Sequence, residues 1–351
     1  MTDAAATDRP AALTTADALR RFTRDVFFVA GLTDEHAKII ADVLVWADLR
    51  GVDSHGVTRI PMYLRLLDAG DLNPAPSITI RTDTPAAVVF EVDRAAGPVA
   101  MTTAMAAAIQ KARGAGIGFA LARGTTHTAA LGYYTSAAAR DGMAAIAFAG
   151  SVPMMAYHGA RAAAVSTSPI SIAVPGGDHG PLVLDMATSV ISAGGLTQAR
   201  RAGHPIAPGL ALDKNGAPTT DPAAAMIPRP LGGHKGSALS LMIECLTSLL
   251  ASNPIIADAV KTGSGRHKQN GLALAIDVAR FADPTMFRDE VERLIDTMKT
   301  LPREAGVAEI LVPGERGDRA FERRSREGIP LSRATVDDLT RVAERFRVPM
   351  P

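Results

Sequence analysis

The chain reads as an α/β protein: a mixed-sheet domain joined to a helical part that both termini build. Two observations carry that reading. From residue 77 onward, short β-like runs interleave with helical stretches, whereas the first 70 residues carry only helical periodicity. The last stretch turns charged and amphipathic again, so it is expected to return and pack on the N-terminal helices.

The elements follow in order. The first eleven residues read as a loose tail. Thr15 caps a helix whose apolar positions Leu19, Phe22, Val26 and Val29 form one stripe, and Gly31 ends it. Thr33 caps a second helix with Asp34 and Glu35 in its first turn, running through Ala47. A polar cluster, Arg50 to Arg59, precedes a short helix that carries Tyr63, Leu64 and Leu67 and stops at Gly70.

Two β-like runs, 77–82 and 87–93, flank the turn Asp83-Thr84-Pro85, and Gly97-Pro98 opens an alanine-rich helix to about Arg113. Strands are expected at 117–122, 144–149, 170–174, 182–186, 272–276 and 309–312. Helices are expected at 131–140, 237–250 and 284–300, and from a Thr335 cap to Phe346.

Composition excludes several classes. At 351 residues the chain can bury a large core, and two domains are expected. A net charge of +1, with no basic tract or aromatic platform, argues against a nucleic-acid partner. No apolar stretch reaches the roughly 20 residues that cross a bilayer. The first residues lack a signal-peptide pattern, so a cytoplasmic protein is expected by default. The single cysteine, Cys245, rules out an internal disulfide and reads as a buried, inert thiol. His36, His158, His179, His204 and His267 are scattered without metal-ligand spacing, so no metal is expected.

Four constellations carry chemistry. Ser54-His55 with Arg59 combines an imidazole that exchanges protons near neutral pH with a guanidinium that clamps carboxylates. His55 and Arg59 stand four apart and would share a face if a helix begins near Gly56. A helix-cap histidine beside a solvated arginine fits the same residues. His127 follows a strand, where ligands of α/β proteins gather, though a loop histidine bonding its own backbone would also sit there. Asp185 closes an apolar strand, where it can orient an imidazole or hold a ribose, and Thr188 or Ser189 can cap the next helix. Leu231 to Ser237 bring two glycines and Lys235 to a helix entry, suited to an anion or simply to a flexible turn. The run Gly114 to Phe119 is a poor dinucleotide fingerprint, because it lacks the third glycine and leads from helix to strand.

Taken in order, RGVDSHGVTR (50–59), HTAALGYY (127–134), STSPISIAVP (166–175), PLVLDMATS (181–189), LGGHKGSALSLMIE (231–244) and LVPGER (311–316) resemble the type-2 malate/L-lactate dehydrogenase family. The resemblance implies a non-Rossmann cofactor domain and hydride transfer, dependent on NAD or NADP, between a small 2-hydroxy acid and its 2-oxo partner. A 2-imino acid, ureidoglycolate or sulfolactate is the alternative substrate. It also implies a homodimer.

Matched residue by residue, it implies His55 and His127 as proton-transfer groups, with Ser54 and Asp185 completing a relay to His55 and Arg59 clamping the substrate carboxylate. Ser151, Asp185, Met186, Ala187, Lys235, Gly314, Glu315 and Arg316 would line the dinucleotide. The implied division is 12–75 for the helical N-terminal part of domain I, 76–310 for the cofactor domain, and 311–351 for a segment returning to domain I. This chain reads Thr126-His127-Thr128-Ala129 where members often carry Asn-His-aromatic-Gly, and Thr167-Ser168-Pro169 where they often carry Thr-Asn-Pro.

Overall fold

Two threonine hydroxyls fix where the first helices begin. In the computed structural model, which describes residues 10–263 and 268–351, Thr15 accepts a bond from the Ala18 N–H and Thr33 from the His36 N–H, each at 3.2 Å. Strand β1 (Ala12–Thr14) leads into α1 (Ala16–Val29) and, past Gly31, into α2 (Asp34–Leu49). Gly31 sits at φ +104°, a conformation other residues resist, so the chain turns there. Two 3-10 turns, Asp53–His55 and Val57–Arg59, precede α3 (Ile60–Asp68). The helix expected near Gly56 thus starts four residues later. Gly56 is extended, and Pro61 lies in the first turn of α3 where a missing N–H costs nothing.

Next come β2 (Thr79–Asp83), β3 (Ala87–Glu91), α4 (Gly97–Ala115), β4 (Ile117–Thr125), α5 (Gly132–Arg140) and β5 (Met143–Ser151). A small hairpin, β6 (Met155–Ala156) and β7 (Ala163–Val165), precedes β8 (Ile170–Val174), β9 (Leu182–Met186) and α6 (Ala193–Ala202). Ser192, rather than Thr188 or Ser189, caps α6 by accepting from the Gly195 N–H at 2.9 Å. A three-stranded patch, β10 (Ala211–Leu212), β11 (Pro218–Thr219) and β12 (Ile227–Pro228), leads to α7 (His234–Glu244). A π-helical turn, Cys245–Leu249, extends α7 and leaves Cys245 only partly buried, not in the core as expected. Then come α8 (Ile256–Thr262), β13 (Gln269–Asp277), α9 (Pro284–Lys299), α10 (Glu315–Glu327), β14 (Ile329–Leu331) and α11 (Arg333–Phe346).

The main sheet has the order β2-β3-β4-β13-β5-β8-β9. Of the described pairs, β3–β4 is parallel and the rest are antiparallel. A doubly wound dinucleotide fold needs a run of parallel strands, so this sheet is of another kind. Few aromatics are available, and the core is filled by close approach instead. Ala100, Ala104, Ala108 and Ala112 form one fully buried stripe on α4. A Cβ added at Gly118 on β4 would stand 1.8 Å from the Ala108 carbonyl, so helix and strand nearly touch backbone to backbone.

The C-terminal segment returns as expected. β14 pairs antiparallel with β1, Leu339 and Val342 of α11 are buried, and Arg345 bonds Asp68 at the end of α3. Two expectations here are corrected, the 309–312 strand and the Thr335 cap. The 309–312 run is irregular rather than a strand, because Pro313 lacks an N–H and Gly314 at φ +92° turns the chain into α10. The Arg-rich stretch after it is the helix α10. The cap of α11 is Ser332, which accepts from the Thr335 N–H at 3.2 Å, while Thr335 lies buried inside the helix. His267 lies outside the described residues.

Candidate active site

The turn that carries His55 is fastened from beneath by a buried carboxylate. Asp48, near the end of α2, accepts from the Val57 N–H at 2.8 Å. Burial pushes its carboxyl well above the usual range. Gly56 leaves the room for it, since a Cβ there would stand 1.8 Å from Asp48 Oδ1. The Arg324 guanidinium on α10 donates to the Asp53 carboxylate and to the Asp48 carbonyl, locking the turn to the returning C-terminal segment.

Held this way, Ser54 Oγ lies 3.0 Å from His55 Nδ1, and Arg59 Nε donates to the Ser54 carbonyl at 2.5 Å. Burial, with the Arg59 charge adding to it, lowers the His55 pKa to about 4. The imidazole is therefore neutral at pH 7.

His127 reaches the same place from the sheet. Strand β4 ends at Thr125, whose hydroxyl donates to the Ala95 carbonyl at 3.0 Å, and the next residues cross over α4. The crossing is tight: a Cβ at Gly97 would stand 2.0 Å from the His127 carbonyl oxygen. The His55 and His127 rings stack with centroids 5.6 Å apart and planes 23° from parallel. Sixty-four residues separate His127 from Tyr63, whose hydroxyl donates to the His127 carbonyl at 2.7 Å and sits 3.1 Å from Nδ1. The Ala129 N–H also points at Nδ1, at 3.3 Å. Because an N–H can only donate, the Ala129 contact assigns the lone pair to Nδ1 and the proton to Nε2. Helix α6 closes the third side. A Cβ at Gly194 would stand 2.5 Å from Ser54 Cβ and 3.1 Å from an Arg59 terminal nitrogen.

Asp185 stands apart from the imidazole of His55. Its Oδ2 accepts from the Gly132 N–H at 2.7 Å, at the start of α5, so the Ser54 half of the expected relay to His55 is formed and the Asp185 half is not a direct bond. The carboxylate is open to solvent yet ringed by protein. Desolvation raises its pKa to about 6, against the opposing pull of the Gly132 N–H and the Arg50 charge.

Arg50 is the hinge pin of this flank. Its guanidinium donates to the Gly314 carbonyl at 2.9 Å, pairs with Asp318 and lies over the Trp46 ring at 5.2 Å. The Val183 N–H meets the Pro313 carbonyl at 3.3 Å, so the start of β9 and the turn into α10 adjoin. Gly314 packs on Val183 itself, where an added Cβ would stand 3.0 Å from the Val183 carbonyl oxygen, while Met186 lies three residues further along the strand. Glu315 itself is engaged, accepting from Lys299 Nζ at 2.6 and 2.7 Å. Arg316 is exposed.

Ser151 and Lys235 belong to a second flank. Ser151 Oγ bonds Ser166 Oγ at 2.6 Å, Ser166 accepts from the Ser168 N–H, and Ser168 bonds Ser240 on α7. Lys235 is exposed in the first turn of that helix. Sequence reasoning missed Tyr63, which looked like one more core position, and the parts played by Arg50, Asp48 and Gly194. Only an unpaired carboxylate at the end of an apolar helix, Asp48, left a trace that could have been followed. Among the described residues no three His, Cys, Asp or Glu side chains gather as a metal site, and no helix is long and apolar enough to cross a membrane.

A mixed, largely antiparallel sheet with paired imidazoles beside a guanidinium is the framework of an α/β enzyme. The malate/L-lactate dehydrogenase family model matches residues 14–340. A malate dehydrogenase of Pyrococcus horikoshii is 34% identical over 342 residues, covering 95% of each chain. The solved sulfolactate dehydrogenase of Methanocaldococcus jannaschii superposes with a TM-score of 0.85 at 33% identity, covering 97% of this chain and 98% of that one. The delta1-piperideine-2-carboxylate reductase of Pseudomonas syringae pvar. tomato does so at 0.83 and 30%, covering 95% and 100%. The chain belongs to the malate/L-lactate dehydrogenase family. It is an oxidoreductase acting on CH–OH donors and takes a nicotinamide cofactor.

Proposed function

We propose that this enzyme interconverts a small 2-hydroxy acid and its 2-oxo acid, with NAD or NADP as hydride carrier. The observation that supports it most is the stacked His55–His127 pair, 5.6 Å apart, with Arg59 beside it. Arg59 holds the substrate carboxylate through two parallel hydrogen bonds. His127, with its proton on Nε2, donates a hydrogen bond to the substrate oxygen and polarises it. His55 passes the proton: with Nδ1–H turned to Ser54 Oγ, its Nε2 lone pair accepts from the alcohol. An anionic substrate against Arg59 offsets the charge that depresses the His55 pKa, which readies the imidazole as a base. Such acid–base help contributes roughly 10²–10⁴-fold.

The flanking residues suit a dinucleotide. Lys235, exposed beside Gly232 and Gly233, and Arg316, exposed in the first turn of α10, offer cationic groups for phosphates. The Asp185 carboxylate suits ribose hydroxyls. Ser151, Met186, Ala187, Gly314 and Glu315 would complete the lining. When bound, the nicotinamide supplies or accepts the hydride at the substrate C2. The protein is proposed to act in the cytoplasm as a homodimer, and the implied 12–75, 76–310 and 311–351 division is kept as part of this reading.

A 2-imino acid is the second reading, favoured by the structural likeness to a piperideine carboxylate reductase. A spectrophotometric screen of 2-oxo acids and cyclic imines against NADH and NADPH tests both. Oxidation of neither cofactor by any acid would overturn the proposal.

A further inference from the structure

A cavity of about 460 Å³ opens between the 157–161 loop, the β10–β11 hairpin and the turn before α7. None of His55, Arg59, His127 or Asp185 lines it. Its charged lining is Arg161 and Arg229, with the His158 ring beside them, and no carboxylate among the described residues faces it. The two guanidiniums are nearly idle. Arg161 donates only a long bond, 3.3 Å, to the Asn215 carbonyl. Arg229 is partly buried in the wall, and its side chain makes no hydrogen bond or ion pair among the described residues.

A partly desolvated cation without a counter-charge, as at Arg229, is costly, and an arginine fork is shaped for carboxylate or phosphate. Glycines shape the walls of the cavity. Gly216, at φ +77°, lets the chain pass against Arg161: a Cβ would stand 2.1 Å from the Arg161 carbonyl oxygen. Gly232 and Gly233, both at positive φ, thin the opposite wall to bare backbone. The volume exceeds what a single oxyanion fills and falls in the range of small organic ligands.

We propose that this cavity binds a small organic anion carrying two acidic groups, one for each guanidinium, at a site that adjoins the proposed phosphate flank at Gly232 and Gly233 but lies outside the hydride-transfer cleft. The charge of the lining selects the anion and the volume selects a multi-atom one. The proposal does not depend on which acid the enzyme turns over.

Isothermal titration calorimetry on the full chain, saturated with NADH or NADPH, tests it with citrate as the carboxylate probe and 2-phosphoglycerate as the phosphate-bearing one. One site per chain is expected for at least one probe, weakened tenfold or more by Arg229→Gln and by Arg161→Gln. Arg161 sits at the exposed rim, so its variant remains informative should Arg229→Gln fold poorly. Absence of heat with both probes overturns the proposal. So does an affinity untouched by both substitutions, or loss of binding when the dinucleotide saturates the enzyme, which would make the cavity part of the cofactor cleft.

Discussion

The Tyr63 hydroxyl holds His127 twice, donating to its carbonyl at 2.7 Å while lying 3.1 Å from its ring Nδ1. Tyr63 is fully buried, and burial pushes its phenol far above its ordinary pKa, so the hydroxyl stays protonated at any working pH. Its one proton goes to the carbonyl and fixes the backbone of a proposed site residue, while the Ala129 N–H is the donor that faces the ring Nδ1. Tyr63→Phe should lower kcat about tenfold, the value of one such hydrogen bond. His127→Ala should lower it by roughly 10²–10⁴-fold. Steady-state kinetics on both variants decides. A Tyr63→Phe enzyme with unaltered kcat would mean that the tie has no part in turnover.

Burial keeps His55 neutral, and the charge on Arg59 adds to it as the second cause. Arg59→Gln should therefore raise the His55 pKa from about 4 back toward 6.5, a shift that NMR titration of the ring protons can follow. The same change removes the proposed carboxylate clamp. The KM for the acid should then rise on the order of 10–100-fold, as expected for a charge-assisted bond. A His55 titration that does not move would show that burial alone sets it.

His55 and Asp185 pull stability in opposite directions over one pH window. His55 falls from 6.5 to about 4 on folding, so the unfolded chain binds more protons between those values and stability drops as pH falls through them. Asp185 rises from 3.8 to about 6, so the folded chain binds more protons there and stability drops as pH rises. Between about pH 4 and 6 the slopes oppose. Asp185→Asn, which keeps an oxygen for the Gly132 N–H, should leave the His55 slope uncovered. Urea midpoints should then fall more steeply on acidification from pH 6.5 to 4 than in the parent. Equal slopes in the two proteins would refute the pairing.

What the sequence discloses depends on the range of each interaction. Thr15, Thr33 and Gly31 act within four residues, and their signals mark the helices where they occur. The alanine stripe of α4 and the alternation of the central strands are equally local. The 309–312 run misleads because its apolar residues look strand-like, while Pro313 and Gly314 decide the backbone. Ser54, His55, Arg59 and His127 stand out as polar groups in an apolar chain, and the fold brings them together. Tyr63 does not stand out, because a core tyrosine and a tyrosine that positions a histidine look alike until the partner 64 residues away is known. Asp185 resembles a relay carboxylate by its place at the end of a strand, yet the donor it accepts from is the Gly132 N–H.

Gly56 and Asp48 should behave as a coupled pair. Gly56→Ala pushes a methyl into the Asp48 carboxylate, 1.8 Å from Oδ1, in a turn that has no slack. Overpacking of this kind costs about 1–3 kcal/mol, and the displaced turn carries His55 with it. A lowered melting temperature and a lowered kcat are expected together. Asp48→Ala in the same chain should give a smaller combined loss than the sum of the two, because the clash is relieved. Simple additivity in a double-mutant cycle would mean that the two residues do not meet.

Arg50 ties the end of α2 to the start of α10, through the Gly314 carbonyl at 2.9 Å and the Asp318 carboxylate. Since the 314–316 segment is proposed to line the dinucleotide, loosening it should be felt at that end of the site rather than at the histidines. Arg50→Gln should raise the KM for the dinucleotide about tenfold, the equivalent of one lost hydrogen bond to a charged group, and leave the KM for the acid nearly unchanged. Asp318→Asn separates the two contacts. Arg50 would still bond Gly314, and Asp318 is substantially exposed, so its ion pair is worth little in water. The Asp318 variant should then bind the dinucleotide almost as the parent does. A rise in the acid KM instead would assign the 314–316 segment to the substrate end of the cleft, because the bond to Gly314 is the contact that the Arg50 change removes and the Asp318 change keeps.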